Sequence, residues 1–389
     1  MEALKPGEEQ VLSAYAVAAI PLAIWVCLAA LRGQFWRLAA QSAVPGAVPP
    51  RRIVAVIPAR DEAATIGQTV ASLLGQEYPG AVHLVVVDDG STDGTWHVAA
   101  AAARDAGAAQ RLTLIRGASL PGGWTGKLWA LSQGIAAAAA HDPEYLLFTD
   151  ADIHHAPHSL TSLVRDAERH RLDLVSHMVR LSTATPAERL LIPAFVFFFF
   201  MLYPPAWVAS QRHRMAAAAG GCVLIRPAML DRIGGVAAIR AHIIDDCALA
   251  RAVKLAGGRI WLGLARETRS LRVYGSSAEI GAMISRTAFA QLRHSYLALA
   301  ATLAGLFLTY LLPVLLLFAG DVRLALAGAT ALLLMGLCYL PMVRFYRLAP
   351  LRCLCLPLIA CFYAAAVVRS AVQYTRGSGG QWKGRVQDA

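Results

Sequence analysis

The chain has 389 residues and a mass of 41.5 kDa, room for about two to three domains at roughly 150 residues each, which excludes a disulfide-stapled miniature or a lone peptide module. Hydrophobic residues make up 57% and charged residues 16%, with a mean hydropathy of +0.50. Soluble domains run at roughly 45–50% apolar and 25% charged, so part of this chain is suited to lipid, and disorder is excluded by its surplus of aliphatic residues. The 36 Lys and Arg against 25 Asp and Glu leave +11, a balance that favours anionic partners such as nucleotide phosphates or an acidic membrane face. Nucleic acid fits less well, because the basic residues are scattered or flank apolar runs and form no basic-and-aromatic stripe. Cys27, Cys338, Cys353, Cys355 and Cys361 fall inside apolar segments, and Cys222 and Cys247 stand alone, a pattern of neither a disulfide framework nor a zinc knuckle.

In chain order, the apolar stretch 11–31 is long enough to cross a hydrocarbon core and is followed by Arg32, Arg37, Arg51 and Arg52, which reads as a membrane anchor with the next domain on the cytoplasmic side. A cleaved signal peptide is the alternative, but Glu2, Glu8 and Glu9 make its leading end acidic where a positive one is needed. Residues 50–290 then alternate short β-branched runs with helical stretches, the pattern of a mainly parallel sheet flanked by helices. Strands are expected at 53–57, 83–87, 111–115 and 145–149, with helices at 63–74, 95–106 and 127–140 between them. The apolar run 190–209 contains Phe197 to Phe200 but also Pro193, Pro204 and Pro205, which are expected to disrupt a continuous spanning helix. It is read as dipping into the membrane, with a genuine span as the rival. Three further apolar runs, 297–319, 324–343 and 353–372, close the chain. Arg344, Arg347 and Arg352 place the second loop inside, while Arg376, Lys383 and Arg385 in the tail leave the topology of the last run open.

The acidic residues fall at the carboxyl ends of the expected strands, where ligands of such sheets bind. After the second strand comes Asp88-Asp89-Gly90-Ser91-Thr92-Asp93-Gly94-Thr95. Thr92 or Asp93 as a cap for the following helix explains the second half of that motif, and leaves Asp88 and Asp89 unexplained. After the fourth strand, Asp150-Ala151-Asp152 offers alternate carboxylates that can share a hard divalent cation with substrate phosphates. His154 or His155 is a possible further ligand, against a helix-start or surface role. Gly122-Gly123-Trp124-Thr125-Gly126-Lys127 is no Walker motif, yet a glycine-rich turn that feeds a helix with a lysine suits a phosphate. Asp245-Asp246 opens a further helix; carboxylates there offset a helix dipole, and as a third acidic pair in an acid-poor domain they also match a metal-assisted transfer with a separate general base.

Four of these elements, Val-Ile-Pro-Ala-Arg-Asp-Glu at 56–62, Asp88-Asp89-Gly90-Ser91, Asp150-Ala151-Asp152 and Asp245-Asp246-x-x-Leu249, together resemble family 2 glycosyltransferases of the GT-A fold over about residues 50–295. The spacing of Gly-Trp-Thr-Gly-Lys-Leu-Trp-Ala at 123–130 and the order anchor, domain, anchors resemble the hopene-associated glycosyltransferases of hopanoid biosynthesis. The resemblance implies an anchor at 1–49, a cytoplasmic α/β GT-A domain at 50–295 and transmembrane helices with a tail at 296–389, in a bacterial inner membrane. It implies an inverting, Mg2+ or Mn2+-dependent transfer of one sugar from a nucleotide-diphosphate sugar, most often a UDP-sugar, to a membrane lipid acceptor such as a hopanoid, in association with other hopanoid enzymes. Pro58, Ala59, Glu62, Asp88 and Asp89 are implied to hold the donor with Lys127 and Asp150, Asp150 and Asp152 the metal. Asp246 is the implied base, and Gly220, Gly221, Asp245 and Arg293 border the acceptor. Departures are Asp61-Glu62 for the usual Asn-Glu, Asp245-Asp246 for the usual Glu-Asp, and Ala290-Gln291-Leu292-Arg293-His294 for the processive family's Gln/Arg-x-x-Arg-Trp. Loss of that tryptophan puts chain extension in doubt and favours one sugar per acceptor. A processive synthase, a nucleotidyltransferase and a non-catalytic membrane scaffold or transporter are the alternatives.

Overall fold

The computed structural model describes residues 6–38 and 48–377; Glu2, Lys383 and Arg385 lie outside them. The chain folds as two compact units, one built from residues 48–182 and 205–273, the other from 6–38, 183–204 and 274–377.

The first unit is organised by an eight-stranded sheet. Its strands are β1 (Ile53–Ala59), β2 (Val82–Asp88), β3 (Leu112–Arg116), β4 (Tyr145–Phe148), β5 (Ile153–His154), β6 (Leu174–Arg180), β7 (Val223–Ile225) and β8 (Ile260–Ser270), in the order β3-β2-β1-β4-β7-β6-β8-β5. The first four pair in parallel, and the apolar runs of β1 and β4 are those of strands covered on both faces. All seven residues of β1 are buried. The four expected strands are present, the first two lengthened, the third shifted by one residue and the fourth one residue shorter; β1 continues through Pro58 and Ala59 because β2 extends alongside it to Asp88. Beyond them β7 runs antiparallel between β4 and β6, and β5 antiparallel to β8. The Val-Leu-Ile of β7 is too short to register as a strand by periodicity.

The expected helices form at Ile66–Leu74, Thr95–Asp105 and Gly126–Ala138. The last starts at Thr125, whose hydroxyl accepts from the Leu128 N–H at 3.4 Å. It lies close on the sheet through Gly134, where a Cβ would collide with Val56 Cγ1 and stand 3.1 Å from Val87 Cγ2. Packing at that point fixes the direction in which Lys127, about two turns earlier, leaves the helix.

The second unit holds the helices long and apolar enough to cross a membrane: Ser13–Leu31, Tyr296–Leu316, Val322–Phe345 and Pro350–Thr375, four among the described residues. Several polar groups inside this unit find partners. Asp321 caps the third of these helices by accepting from Arg323 N–H at 2.7 Å and also accepts from the Tyr15 hydroxyl at 2.9 Å. The second is interrupted by a π-turn at Phe307–Leu311, where the Trp25 indole N–H donates to the Thr309 carbonyl at 2.9 Å.

The run 190–209 departs from expectation. Its helix, Pro186–Leu202, passes through Pro193 unbroken and stops before Pro204. Pro193 strips the Arg189 carbonyl of its helical partner, and Arg352 Nη1 donates to that oxygen at 3.4 Å. Its phenylalanines are packed within the helical unit: Phe197 lies 5.3 Å from Phe35 and 5.0 Å from Tyr339, ring centre to ring centre, and Phe198 lies 4.8 Å from Tyr363. The helix Ser277–Gln291 joins the same unit, its Phe289 N–H donating to the Ser370 hydroxyl at 3.0 Å.

Gly134→Leu is expected to overpack the sheet and cost about 1–3 kcal/mol of stability. A lowered thermal midpoint of the purified protein checks it; an unchanged midpoint would contradict the close approach.

Candidate functional site

The ends of β1, β2 and β4 come out at one edge of the sheet because their registers align Ala59 with Asp88 and Val56 with Phe148. Two loops interlace there. Asp89 N–H donates to the Ala59 carbonyl at 2.8 Å, and the Arg60 guanidinium bonds the Asp89 carbonyl and lies 3.6 Å from its carboxylate. Asp61, in the left-handed region at φ 51°, accepts from Thr92 N–H at 2.9 Å. Glu62 N–H donates to the Thr95 hydroxyl at 2.8 Å. Asp88, buried, accepts from Ser91 N–H at 2.9 Å, which closes the turn at Gly90. The cap of the following helix is Gly94 at φ 90°, not Thr92 or Asp93; Asp93 still supplies an oxygen, accepting from Thr95 N–H at 3.0 Å. Gly94 wins the position because glycine takes that backbone conformation without strain.

The second half of the site gathers around one ammonium. Lys127 Nζ stands 2.9 Å from Asp150 Oδ1 and 3.2 Å from Asp245 Oδ2. Asp246, beside Asp245 at the start of the helix Asp245–Leu255, accepts from Gly220 N–H at 2.8 Å and Cys247 N–H at 2.7 Å. Gly220 is a glycine for want of room: a Cβ would stand 3.2 Å from Lys127 Nζ and 3.4 Å from Asp246 Oδ2. Pro58, Lys127, Asp150, Gly220, Asp245 and Asp246 line one cleft, whose remaining wall is largely apolar and includes Phe148, Val223 and Leu249.

Electrostatics separate these groups. Burial and the neighbouring Asp245 push the Asp246 carboxyl up to about 6, against the pull of Lys127 and its two N–H donors. Burial, Asp150 and Glu62 push Asp152 up to about 6 as well. Burial opposes the charge on Lys127, but Asp150, Asp245 and Asp246 outweigh it and hold the ammonium well above its ordinary range.

Burial and acidic neighbours that raise the Asp152 carboxyl mark a place short of positive charge, and Asp150 with Asp152 offers the hard oxygens that Mg2+ or Mn2+ takes. The pair therefore fits a divalent cation shared with substrate oxygens. Among the described residues no cluster of three or more His, Cys, Asp and Glu converges on a metal position. His155 is not available as a ligand: its ring nitrogens meet the Thr149 hydroxyl at 2.9 Å and the Ser159 hydroxyl at 3.2 Å, and burial holds it neutral, with a pKa of about 3.

That histidine exposes a residue the sequence did not single out. The Thr149 hydroxyl donates to the Gly221 carbonyl at 2.8 Å, so the turn bearing Asp150 is tied to the segment whose Gly220 N–H holds Asp246. Gly221 itself is packing, its missing Cβ being 3.1 Å from Val179. Arg293 belongs to the helical unit, where it is exposed at φ 52°; it is not among the residues lining the cleft. Arg60, inside the 56–62 motif, fastens that loop to the next through Asp89.

Residues 54–234 match the family model described as Glycosyl transferase family 2. Among solved structures, a mannosyltransferase from Pyrobaculum calidifontis in complex with GDP-Man and Mn2+ is 20% identical, with a TM-score of 0.58, over 92% of this chain and 98% of its own. TarS 1–349 of S. aureus in complex with UDP-GlcNAc is 14% identical over 86% of this chain and 95% of its own, with a TM-score of 0.41. Mannosyl-3-phosphoglycerate synthase from Rubrobacter xylanophilus is 18% identical over 65% and 80%, again with a TM-score of 0.41. No curated protein matches by sequence. The likeness to the mannosyltransferase shows the fold: the sheet and its flanking helices are the GT-A arrangement.

Thr149→Val keeps the shape and removes the bonded hydroxyl, leaving the half-buried Gly221 carbonyl and the buried His155 short of a partner. Such a loss costs about 1–3 kcal/mol, and thermal unfolding should show it as a lowered midpoint; a midpoint equal to that of the parent protein would contradict the tie.

Proposed function

We propose, from the premise that this chain is a glycosyltransferase with a family 2 domain over residues 54–234, that it moves one sugar from a nucleotide-diphosphate sugar to a lipid acceptor in the membrane, with inversion at the anomeric carbon. The observation that carries the reading is the placement of Asp246, a carboxylate with a pKa of about 6, in the same cleft as Lys127 and Asp150.

The loops at 58–62 and 88–95 receive the nucleoside, Asp89 and Glu62 being held in place by the interlaced hydrogen bonds above. Lys127, at the first turn of its helix, faces the diphosphate with a full positive charge, and the N-terminus of that helix adds its dipole. Asp150 and Asp152 hold Mg2+ or Mn2+, which when bound offsets the charge that grows on the leaving nucleoside diphosphate. Asp246 takes the proton of the acceptor hydroxyl as that oxygen attacks the anomeric carbon from the face opposite the diphosphate; the C–O bond to the phosphate breaks as the new C–O bond forms. Its two N–H donors fix the carboxylate, and its apolar surroundings keep it basic enough for the task at neutral pH.

Four helices able to cross a membrane support a lipid acceptor and a membrane location. The domain at 50–295 is read as facing the cytoplasm, between the anchor at 1–49 and the helices of 296–389, in a bacterial inner membrane. UDP-sugars and a hopanoid acceptor, with hopanoid enzymes as associates, are the first choices to test, on the resemblance of the 123–130 motif. Arg293 and the segment Gly220-Gly221 are assigned to the acceptor side on the same resemblance.

The test is release of nucleoside diphosphate by the detergent-purified chain from a panel of nucleotide sugars with hopanoid lipids, in Mn2+ or Mg2+ against EDTA. Release with one donor, abolished by EDTA and by Asp152→Ala, supports the reading; release that persists in EDTA removes the metal from it. Asp246→Asn is expected to lower kcat by about 10²–10⁴-fold, the worth of a general base, with donor binding retained by calorimetry. Because Asp246 acts only when ionised, kcat/KM at saturating Mn2+ should be level above about pH 6 and fall about tenfold per unit below it. A profile flat from pH 5 to 8 would assign the base elsewhere.

A further inference from the structure

The acidic residues of the cleft share very little positive charge. Lys127 Nζ touches Asp150 Oδ1 and Asp245 Oδ2, at 2.9 Å and 3.2 Å. It sits against the open Cα of Gly220, whose N–H holds Asp246. Asp150 is also the leading acid of Asp150-Ala151-Asp152, so the ammonium occupies an oxygen that a divalent cation would need. The side chain is four-fifths buried and the Gly220 backbone closes one side, so Lys127 stays within this cluster unless another anion draws it away. The diphosphate of a donor is such an anion, and it would arrive at the same helix end.

We propose that Lys127 is a resident counter-cation: without donor it bridges Asp150 and Asp245, and a divalent cation must displace it from Asp150 to bind. This rests on the transferase reading and adds an order of events to it. Metal alone meets a site already neutralised and binds weakly. A diphosphate that takes over the ammonium frees Asp150 for the metal, so donor and metal favour each other's binding, a coupling that is reciprocal by linkage. Lys127 is here a positioning residue for the acidic cluster as well as a charge for the donor.

The test is Mn2+ binding to the full chain in detergent with no donor present, followed by the loss of the free-Mn2+ electron paramagnetic resonance signal. Lys127→Met should bind Mn2+ alone about tenfold more tightly than the parent protein, because two carboxylates lose their internal cation, while Lys127→Arg should stay near the parent value. Should Lys127→Met fail to fold, acetylation of Lys127 in the parent protein, read by mass spectrometry, replaces it: Mn2+ should speed modification several-fold by releasing the amine from Asp150. Equal or weaker Mn2+ binding in a folded Lys127→Met variant, no Mn2+ bound by either form, or an acetylation rate that Mn2+ leaves unchanged overturns the proposal. Nucleoside diphosphate release that continues in any of those cases leaves the transferase reading standing, so the two fail separately.

Discussion

Everything in the cleft depends on one electrostatic constraint: Asp150, Asp245 and Asp246 are gathered from a strand end and a helix start around the single ammonium of Lys127. Like charges this close and this buried do not all stay ionised without a cation. The helix Gly126–Ala138 delivers that cation, and it does so in a fixed direction because Gly134 lets the helix lie against β1 and β2. Burial, with the acidic neighbours, raises the Asp152 and Asp246 carboxyls to about 6, the feature on which the proposed metal seat and the proposed base both rest.

The sheet makes the gathering possible. Parallel pairing of β3, β2, β1 and β4 brings three acidic strand ends to one edge, and the antiparallel β7 starts at that edge, so that Gly220 and Gly221 just before it lie beside Asp150 and Asp246. Within the helical unit a different economy holds. Its apolar helices carry few polar atoms, and three of them are met by single side chains: Trp25 at the π-turn, Tyr15 at Asp321, Arg352 at the carbonyl freed by Pro193.

Much of this was legible in the chain. Short β-branched runs announced the parallel strands, and acidic residues at their ends pointed to the edge of the sheet where the cleft lies, because a carboxylate placed there without a ligand is costly. Four apolar runs of sufficient length announced the helices that can cross a membrane. What stayed hidden is tertiary. The strand β7 has three residues and no period. Pro193 looked like a helix breaker because its rescuer, Arg352, lies far away in sequence. Gly94 took the cap position from Thr92 and Asp93 because backbone conformation, not side-chain chemistry, decides that turn. Thr149 and His155 carry no motif; their importance lies in a hydrogen-bonded chain that only the folded sheet creates.

The most direct measurement is an experimental structure of the full chain with a nucleotide sugar and Mn2+. The account predicts the nucleoside between the 58–62 and 88–95 loops, Asp152 bound to the cation, and the Asp246 carboxylate facing the anomeric carbon on the side opposite the diphosphate. A donor seated elsewhere, or with its anomeric carbon turned away from Asp246, would contradict it.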